Sequence, residues 1–298
     1  AMRDTGLRGR FSYGTVQGAP NEQPMDLAGL AKIKQQWLPN DGLLTLGISS
    51  RNVGDATNQL RGNISVDMAR KDWGGARALG LPITMHTSGP SPITLLEKAG
   101  LLGPDVQLVH PLLTTAEERK ILARRGVSYS MSPVGESQRP AAAGVIQLGE
   151  LLEAGVKVSM SIDLTGTYTV DFFQCMRFLY HLHRHRIGAR IPLTAKRLVQ
   201  LATLDGAIDL GMADRTGSLT PGKRADLIMV RATDLNMQPL HDPVSSVVMQ
   251  TSLANIDSVM VAGQWKKRHG QLLDVNLPPL LQALNASGRK ITQALSLS

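Results

Sequence analysis

An α/β fold is predicted: a (β/α) barrel, or most of one, followed by a small β-sandwich. Three observations predict it. Six short apolar runs recur between residues 9 and 163, each bounded by Gly, Pro or Asp. Helical patterns lie between those runs, which calls for parallel strands joined by crossover connections. After residue 214 the rhythm changes to turn-rich strands with no helix between them.

The predicted barrel strands are GRFSYGT (9–15), LLTLGIS (43–49), LPITMHT (81–87), VQLVHPL (106–112), VSYSMSP (127–133) and VKVSMSID (156–163). Among the intervening helices, TTAEERKILARRG (114–126) has the clearest ends: Thr115 can cap its start and Gly126 supplies its stop. Beyond residue 214, Thr216-Gly217 and Pro221-Gly222 read as turns and ADLIMV (225–230) as a strand. SSVVMQT (245–251) and IDSVMVAGQW (256–265) read as two further strands, the first because of its β-branched content. The stretch PPLLQALNASGRKITQAL returns to helical spacing. The predicted division is a barrel over 1–213, a β-sandwich portion over 214–272 and a C-terminal helix over 273–298.

Composition narrows the function. The 298 residues are 42% hydrophobic with no apolar run near the length of a membrane span, so a soluble chain with a sizeable core and no membrane partner is expected. The net charge of +8 raises a nucleic-acid reading, but the basic residues are dispersed in short groups such as Lys266, Lys267 and Arg268. Aromatics make up only 4%, too few for a base-stacking platform, so nucleic acid is excluded and a solvated basic surface is preferred. The single cysteine, Cys175, excludes an internal disulfide framework and suits a reducing cytoplasm. The opening AMRDTGLRGR lacks the apolar region of a signal peptide, and its first residue is not methionine, which points to a fragment or processed product.

Three polar residues stand at corresponding places in their units. His86 ends one strand, His110 ends the next, and Asp163 ends the last. In a parallel barrel all strand C-termini lie on one face, so residues far apart in sequence converge there. Imidazole nitrogen and carboxylate oxygen together suit zinc or another borderline metal.

The segments TLDGAIDLGMADRTGSLTPGKRADLIMV (203–230) and DPVSSVVMQTSLANIDSVMVAGQWKKRHGQL (242–272) closely resemble the C-terminal signature of the amidohydrolase superfamily, in its cytosine-deaminase and triazine-hydrolase-like branch. The resemblance runs from about residue 7 to 272, with VSMSID and LVHPLLTTAEE as further, less specific matches. It implies a (β/α)8 TIM-type barrel in which His86, on the fifth strand, and Asp163, on the eighth, are metal ligands. His110, on the sixth, is implied as a third ligand or as a partner orienting the attacking water. Asp163 is implied as general base and His110 as a catalytic group polarising the developing charge. The implied cofactor is one divalent ion, zinc with iron as the alternative, since the fourth strand ends without a lysine that could bridge two metals. The implied activity is hydrolysis of a carbon–nitrogen (non-peptide) bond in a small cyclic substrate by metal-activated water, as an aminohydrolase or a chlorohydrolase. The competing class is a non-catalytic, truncated scaffold of the same family.

Two departures qualify that match. The family carries a His-x-His pair on its first strand, and the run 43–49 counts here as the fourth strand, so the first two strands are missing. The chain reads as the C-terminal two-thirds of a longer enzyme, and its exposed sheet edges predict a homo-oligomer or another chain over the gap. The only His-x-His run, HLHRHR with His181, His183 and His185, falls on a predicted helix, where residues i and i+2 point roughly 200° apart and cannot chelate together. His181 and His185 could chelate at i and i+4, although histidines at an arginine-rich helix end suit its dipole in any case. The second departure follows the fifth strand, where the branch's deaminases read His-x-x-Glu and this chain reads His86-Thr87-Ser88-Gly89. The proton-shuttling glutamate is then absent, and the reaction is expected to have a leaving group that needs less help. Glu136, in SPVGESQRP, could replace it from another loop, but a solvated loop residue is the preferred reading.

Overall fold

The computed structural model describes every residue except 1, 17, 37–41, 55–62, 88–90, 140–144, 188–189 and 296–298. Six strands, β1 (Gly9–Gly14), β2 (Leu44–Ser50), β3 (Ile83–His86), β4 (Val106–Val109), β5 (Ser128–Met131) and β6 (Lys157–Met160), form one sheet in sequential order. Every neighbouring pair is parallel. Among the described residues β1 and β6 are edges and do not pair with each other. Helix α1 (Met2–Thr5) precedes β1, and the helices between strands include α2 (Leu27–Gln36), α3 (Val66–Ala78), α4 (Ile93–Lys98), α5 (Ala116–Arg125), α6 (Pro133–Ser137) and α7 (Leu148–Glu153). After β6 come α8 (Phe172–Ile187), α9 (Ala195–Leu201) and α10 (Leu204–Asp209).

Apolar runs covered on both faces bury most of β2 to β6, as parallel sheets require, while the edge strand β1 is only partly covered. Ile48, Ile83, Met85, Leu108, Tyr129 and Met131 are almost inaccessible and share one core with Trp73 of α3. The Trp73 indole N–H is satisfied by Ser50 Oγ at 2.8 Å, which ties α3 to the end of β2. Thr115 and Glu118 form the reciprocal cap at the start of α5, and Gly126 ends that helix, as the sequence predicts.

Past residue 214 the chain forms a four-stranded antiparallel sheet ordered β10-β9-β8-β7, from β7 (Leu227–Val230), β8 (Ile256–Val261), β9 (Gln264–Arg268) and β10 (Gln271–Leu272). The GSLTPG turn explains its first glycine: Gly217 sits at φ +86°, and a Cβ there would lie 2.6 Å from Ala207 Cβ and 3.0 Å from Leu204 Cα. Asp226, just before β7, accepts hydrogen bonds from Arg8, Thr216 and the Ala262 N–H, so it clamps the start of the parallel sheet to the antiparallel one.

Two sequence expectations fail in this region. IDSVMVAGQW is a hairpin, not one strand: Ala262 and Gly263 both have positive φ, the requirement of a tight two-residue turn. SSVVMQT is not a strand but the body of α11 (Pro243–Met249). Asp242 caps that helix by accepting from the Val244 and Ser245 N–H groups, and Pro243 occupies its first turn. Arg177 of α8 holds its far end through the Val248 and Thr251 carbonyls. A cap, a helix-starting proline and a tertiary clamp outweigh a β propensity that spans only about 1 kcal/mol. The final helix, α12 (Leu277–Ala294), matches the predicted C-terminal helix and buries none of its residues. No described helix is long and apolar enough to cross a membrane.

Candidate metal centre

Parallel registration brings the three predicted residues together at the C-terminal end of the sheet. His86 closes β3 opposite Val109. The next residue, Thr87, gives both its N–H and its hydroxyl to the Val109 carbonyl, at 2.9 and 2.8 Å, which pins the end of β3 beside the start of the β4 loop. His110 follows β4 and donates its N–H to the Ser130 carbonyl of β5. Ser161 donates to Met131, fixing the path that leads from β6 to Asp163. His110 and Asp163 both adopt left-handed backbone, at φ 61° and 62°. For residues other than glycine that conformation costs about 1–3 kcal/mol each and clusters at functional sites.

Each of His86, His110 and Asp163 offers a ligand atom, and these atoms lie within 4.8 Å of one another. His110 Nε2 and Asp163 Oδ1 are 3.6 Å apart, and the two imidazoles are tilted with centroids at 5.4 Å. Ligands to one zinc ion are roughly 3.4 Å apart in a tetrahedral shell, so this set needs only small adjustments to share an ion. His110 Nε2 is also inaccessible and has no hydrogen-bond partner, an orphaned ring nitrogen facing a carboxylate oxygen. The residues therefore fit a divalent ion. HLHRHR does not contribute: its helix α8 is as predicted, His183 is buried with Nε2 against the Ile191 carbonyl at 2.7 Å, and no other such cluster occurs among the described residues.

Glu136 corrects the sequence reading of a solvated loop residue. It lies on α6, its side chain is 0% exposed, and Oε1 sits 2.9 Å from His110 Nδ1. The Ser132 N–H reaches the same oxygen at 2.8 Å. The five-residue helix begun at Pro133 turns this side chain back under the strand ends, a consequence of chain reversal that composition does not reveal. Gly135 is needed beside it, because a Cβ there would lie 2.8 Å from Tyr168 Cε2 and 3.2 Å from Asp163 Oδ2.

Burial sets the electrostatics. It raises the Glu136 carboxyl above its ordinary value, against the opposing hydrogen bonds from His110 and Ser132. It also holds the His86 imidazole below its ordinary value, reinforced by neighbouring His110 and by the Arg139 charge and opposed by Asp163. Arg139 was not singled out by the sequence reading; it follows α6 and its charge acts on both His86 and Glu136. The position occupied by Gly89 lies outside the described residues.

Residues 78–266 match the Amidohydrolase family. A 5-methylthioadenosine/S-adenosylhomocysteine deaminase of Desulforudis audaxviator is 30% identical over 208 residues, covering 70% of this chain and 48% of the relative. The chain thus spans about half the length of that relative. Its fold matches a zinc-bound adenosine deaminase from Xanthomonas campestris with a TM-score of 0.85 at 22% identity, over 98% of this chain and 68% of the other. It also matches an atrazine chlorohydrolase from Arthrobacter aurescens complexed with zinc, with a TM-score of 0.77 at 19% identity, over 95% and 66%. At such identities the likeness is one of fold.

Proposed function

The chain belongs to the amidohydrolase family, and from that premise we propose that it is a zinc-dependent aminohydrolase, replacing an amino group on a small nitrogen heterocycle with oxygen from water. The observation that carries this reading is the convergence of His86, His110 and Asp163 at the strand ends. The names of its relatives favour an adenine nucleoside or a 5′-modified adenine nucleoside as the substrate class.

His86, His110 and Asp163 would hold the ion, which when bound supplies Lewis-acid polarisation and a water acidic enough to react at neutral pH. Asp163 takes a proton from the attacking water at its carboxylate oxygen. The new carbon–oxygen bond then replaces the carbon–nitrogen bond, and the proton taken up by Asp163 passes to the amino group, which leaves as ammonia. His86, held below the ordinary imidazole value, keeps a lone pair available for coordination. The core beneath the cluster, including Met85, Leu108 and Met131, holds the three side chains on rigid strands.

A second reading, chloride release, is favoured by one sequence feature: Gly89 stands where the proton-shuttling glutamate of related deaminases is expected. Chloride departs without a proton and needs no such shuttle. The test is turnover by chelated and zinc-reloaded protein on adenosine, 5′-deoxyadenosine, methylthioadenosine and a chloro-triazine. Zinc-dependent ammonia release from the nucleosides is expected. Chloride release alone would favour the second reading, and turnover surviving both chelation and Asp163→Asn would overturn the metal-hydrolase reading.

A further inference from the structure

We propose that Glu136 is a positioning residue that locks His110 in the tautomer protonated at Nδ1, so that Nε2 faces Asp163 as a bare lone pair. The argument starts from one oxygen. Glu136 Oε1 accepts from the Ser132 backbone N–H at 2.8 Å, and a backbone N–H can only donate. The same oxygen contacts His110 Nδ1 at 2.9 Å. The other oxygen, Oε2, is buried and has no partner among the described residues. If the carboxyl is ionised, Oε1 is an acceptor. If it is neutral, the carbonyl oxygen is a far better acceptor than the acid hydroxyl oxygen, so the oxygen that takes the Ser132 N–H is the carbonyl one and the proton sits on Oε2. In either state His110 must supply the hydrogen from Nδ1.

A neutral imidazole carrying its proton on Nδ1 has none on Nε2. That atom is inaccessible, unpartnered and 3.6 Å from the Asp163 carboxylate. Two lone-pair sites facing each other at this distance repel unless something electron-poor lies between them. The arrangement makes His110 a ligand or proton acceptor, and a neutral His110 in this tautomer has no hydrogen on Nε2 for the charge-polarising role that the family resemblance implies. The backbone adds to this constraint: His110 is held at φ 61°, its N–H bonded to Ser130 and its carbonyl accepting from the Leu112 N–H at 2.7 Å. A second element in contact with a ligating histidine commonly fixes its tautomer and ring orientation in this way.

Only the consequence for metal binding rests on the aminohydrolase reading, because the tautomer exists with or without metal. The experiment is long-range proton–nitrogen NMR of the metal-free protein labelled with 15N-histidine, at mildly alkaline pH, with His110 assigned by its loss in His110→Asn. A pyrrole-type Nδ1 and a pyridine-type Nε2 are expected for His110. Glu136→Gln, which keeps an acceptor oxygen, should retain that pattern, with zinc affinity by chelator competition within about threefold. Glu136→Leu should lose the pattern and weaken zinc binding about 10- to 100-fold. Hydrogen on Nε2 in the unmodified protein would overturn the proposal, a result that does not depend on any variant folding. So would Glu136→Leu leaving both the pattern and the affinity unchanged. A protein with the expected pattern that binds no zinc would support the positioning role and refute the aminohydrolase reading.

Discussion

Two carboxylates, Asp226 at the junction of the two sheets and Glu136 behind the histidine cluster, meet opposite surroundings. Both Asp226 oxygens have two donors each: Oδ1 accepts from Arg8 and the Ala262 N–H, and Oδ2 from Arg8 and the Thr216 hydroxyl. Glu136 places two contacts on Oε1 and leaves Oε2 with none. Burial pushes both carboxyls upward. At Asp226 the hydrogen bonds from Arg8, Ala262 and Thr216 overcome it and hold the group below the ordinary range. At Glu136 burial wins and the group stays raised. A clamp is recognised by complete satisfaction, and a site by polar groups left waiting for a partner, since unpaired buried polar atoms are rare and costly. Changes at the junction should therefore act on stability, and changes at the cluster on metal binding and turnover.

The largest effect is expected at the cluster. On the proposed function, Asp163→Asn removes a proposed ligand and the proposed base together, and turnover should fall by about a thousandfold or more while the melting temperature is nearly unchanged. Steady-state kinetics beside calorimetry would check this, and equal losses in both would erase the distinction between the two regions. At the junction, Asp226→Asn leaves the Arg8 guanidinium, 8% exposed, without its counter-charge. A loss of about 2–3 kcal/mol by urea unfolding is expected, with zinc affinity unchanged. The sign with pH follows from the depressed Asp226 value: its contribution is complete above the ordinary carboxylate pKa and is lost as pH falls toward the folded-state value. Unfolding of the Asn variant should be flatter than that of the parent across this acid window.

Smaller changes sharpen the contrast. Gly135→Ala puts a methyl against Tyr168 and Asp163, so zinc affinity should fall by about tenfold for about 1–2 kcal/mol of stability. Equilibrium zinc titration beside thermal melting separates the two. Ala262→Gly relieves a non-glycine residue at φ 50° in the β8–β9 turn. It should raise stability by about 0.5–1 kcal/mol, read as a shift in the urea midpoint, and leave the cluster untouched.

Signals that act within a few residues were legible in the sequence. Apolar runs between turn residues located the barrel strands, and Thr115 and Gly126 marked the start and stop of α5. His86, His110 and Asp163 stood out because each follows such a run and parallel strands end on one face. SSVVMQT reads as a strand from its β-branched content alone; the helix start at Asp242-Pro243 lies just ahead of it, and the Arg177 clamp that holds α11 comes from far along the chain.

What the sequence alone determined is the order of the six parallel strands with their helices and the three donors at strand ends, because hydrophobic period, capping and turn chemistry depend on adjacent residues. Only the tertiary structure decided that Glu136 turns inward beneath His110, and that Arg8 closes on Asp226. His110 and Glu136 are 26 residues apart, and Arg8 and Asp226 are 218 apart. Their meeting depends on the registration of parallel strands and the docking of one sheet on another. The energy of each pair, whether a satisfied ion pair or an unsatisfied carboxyl, is set by how much water that packing excludes.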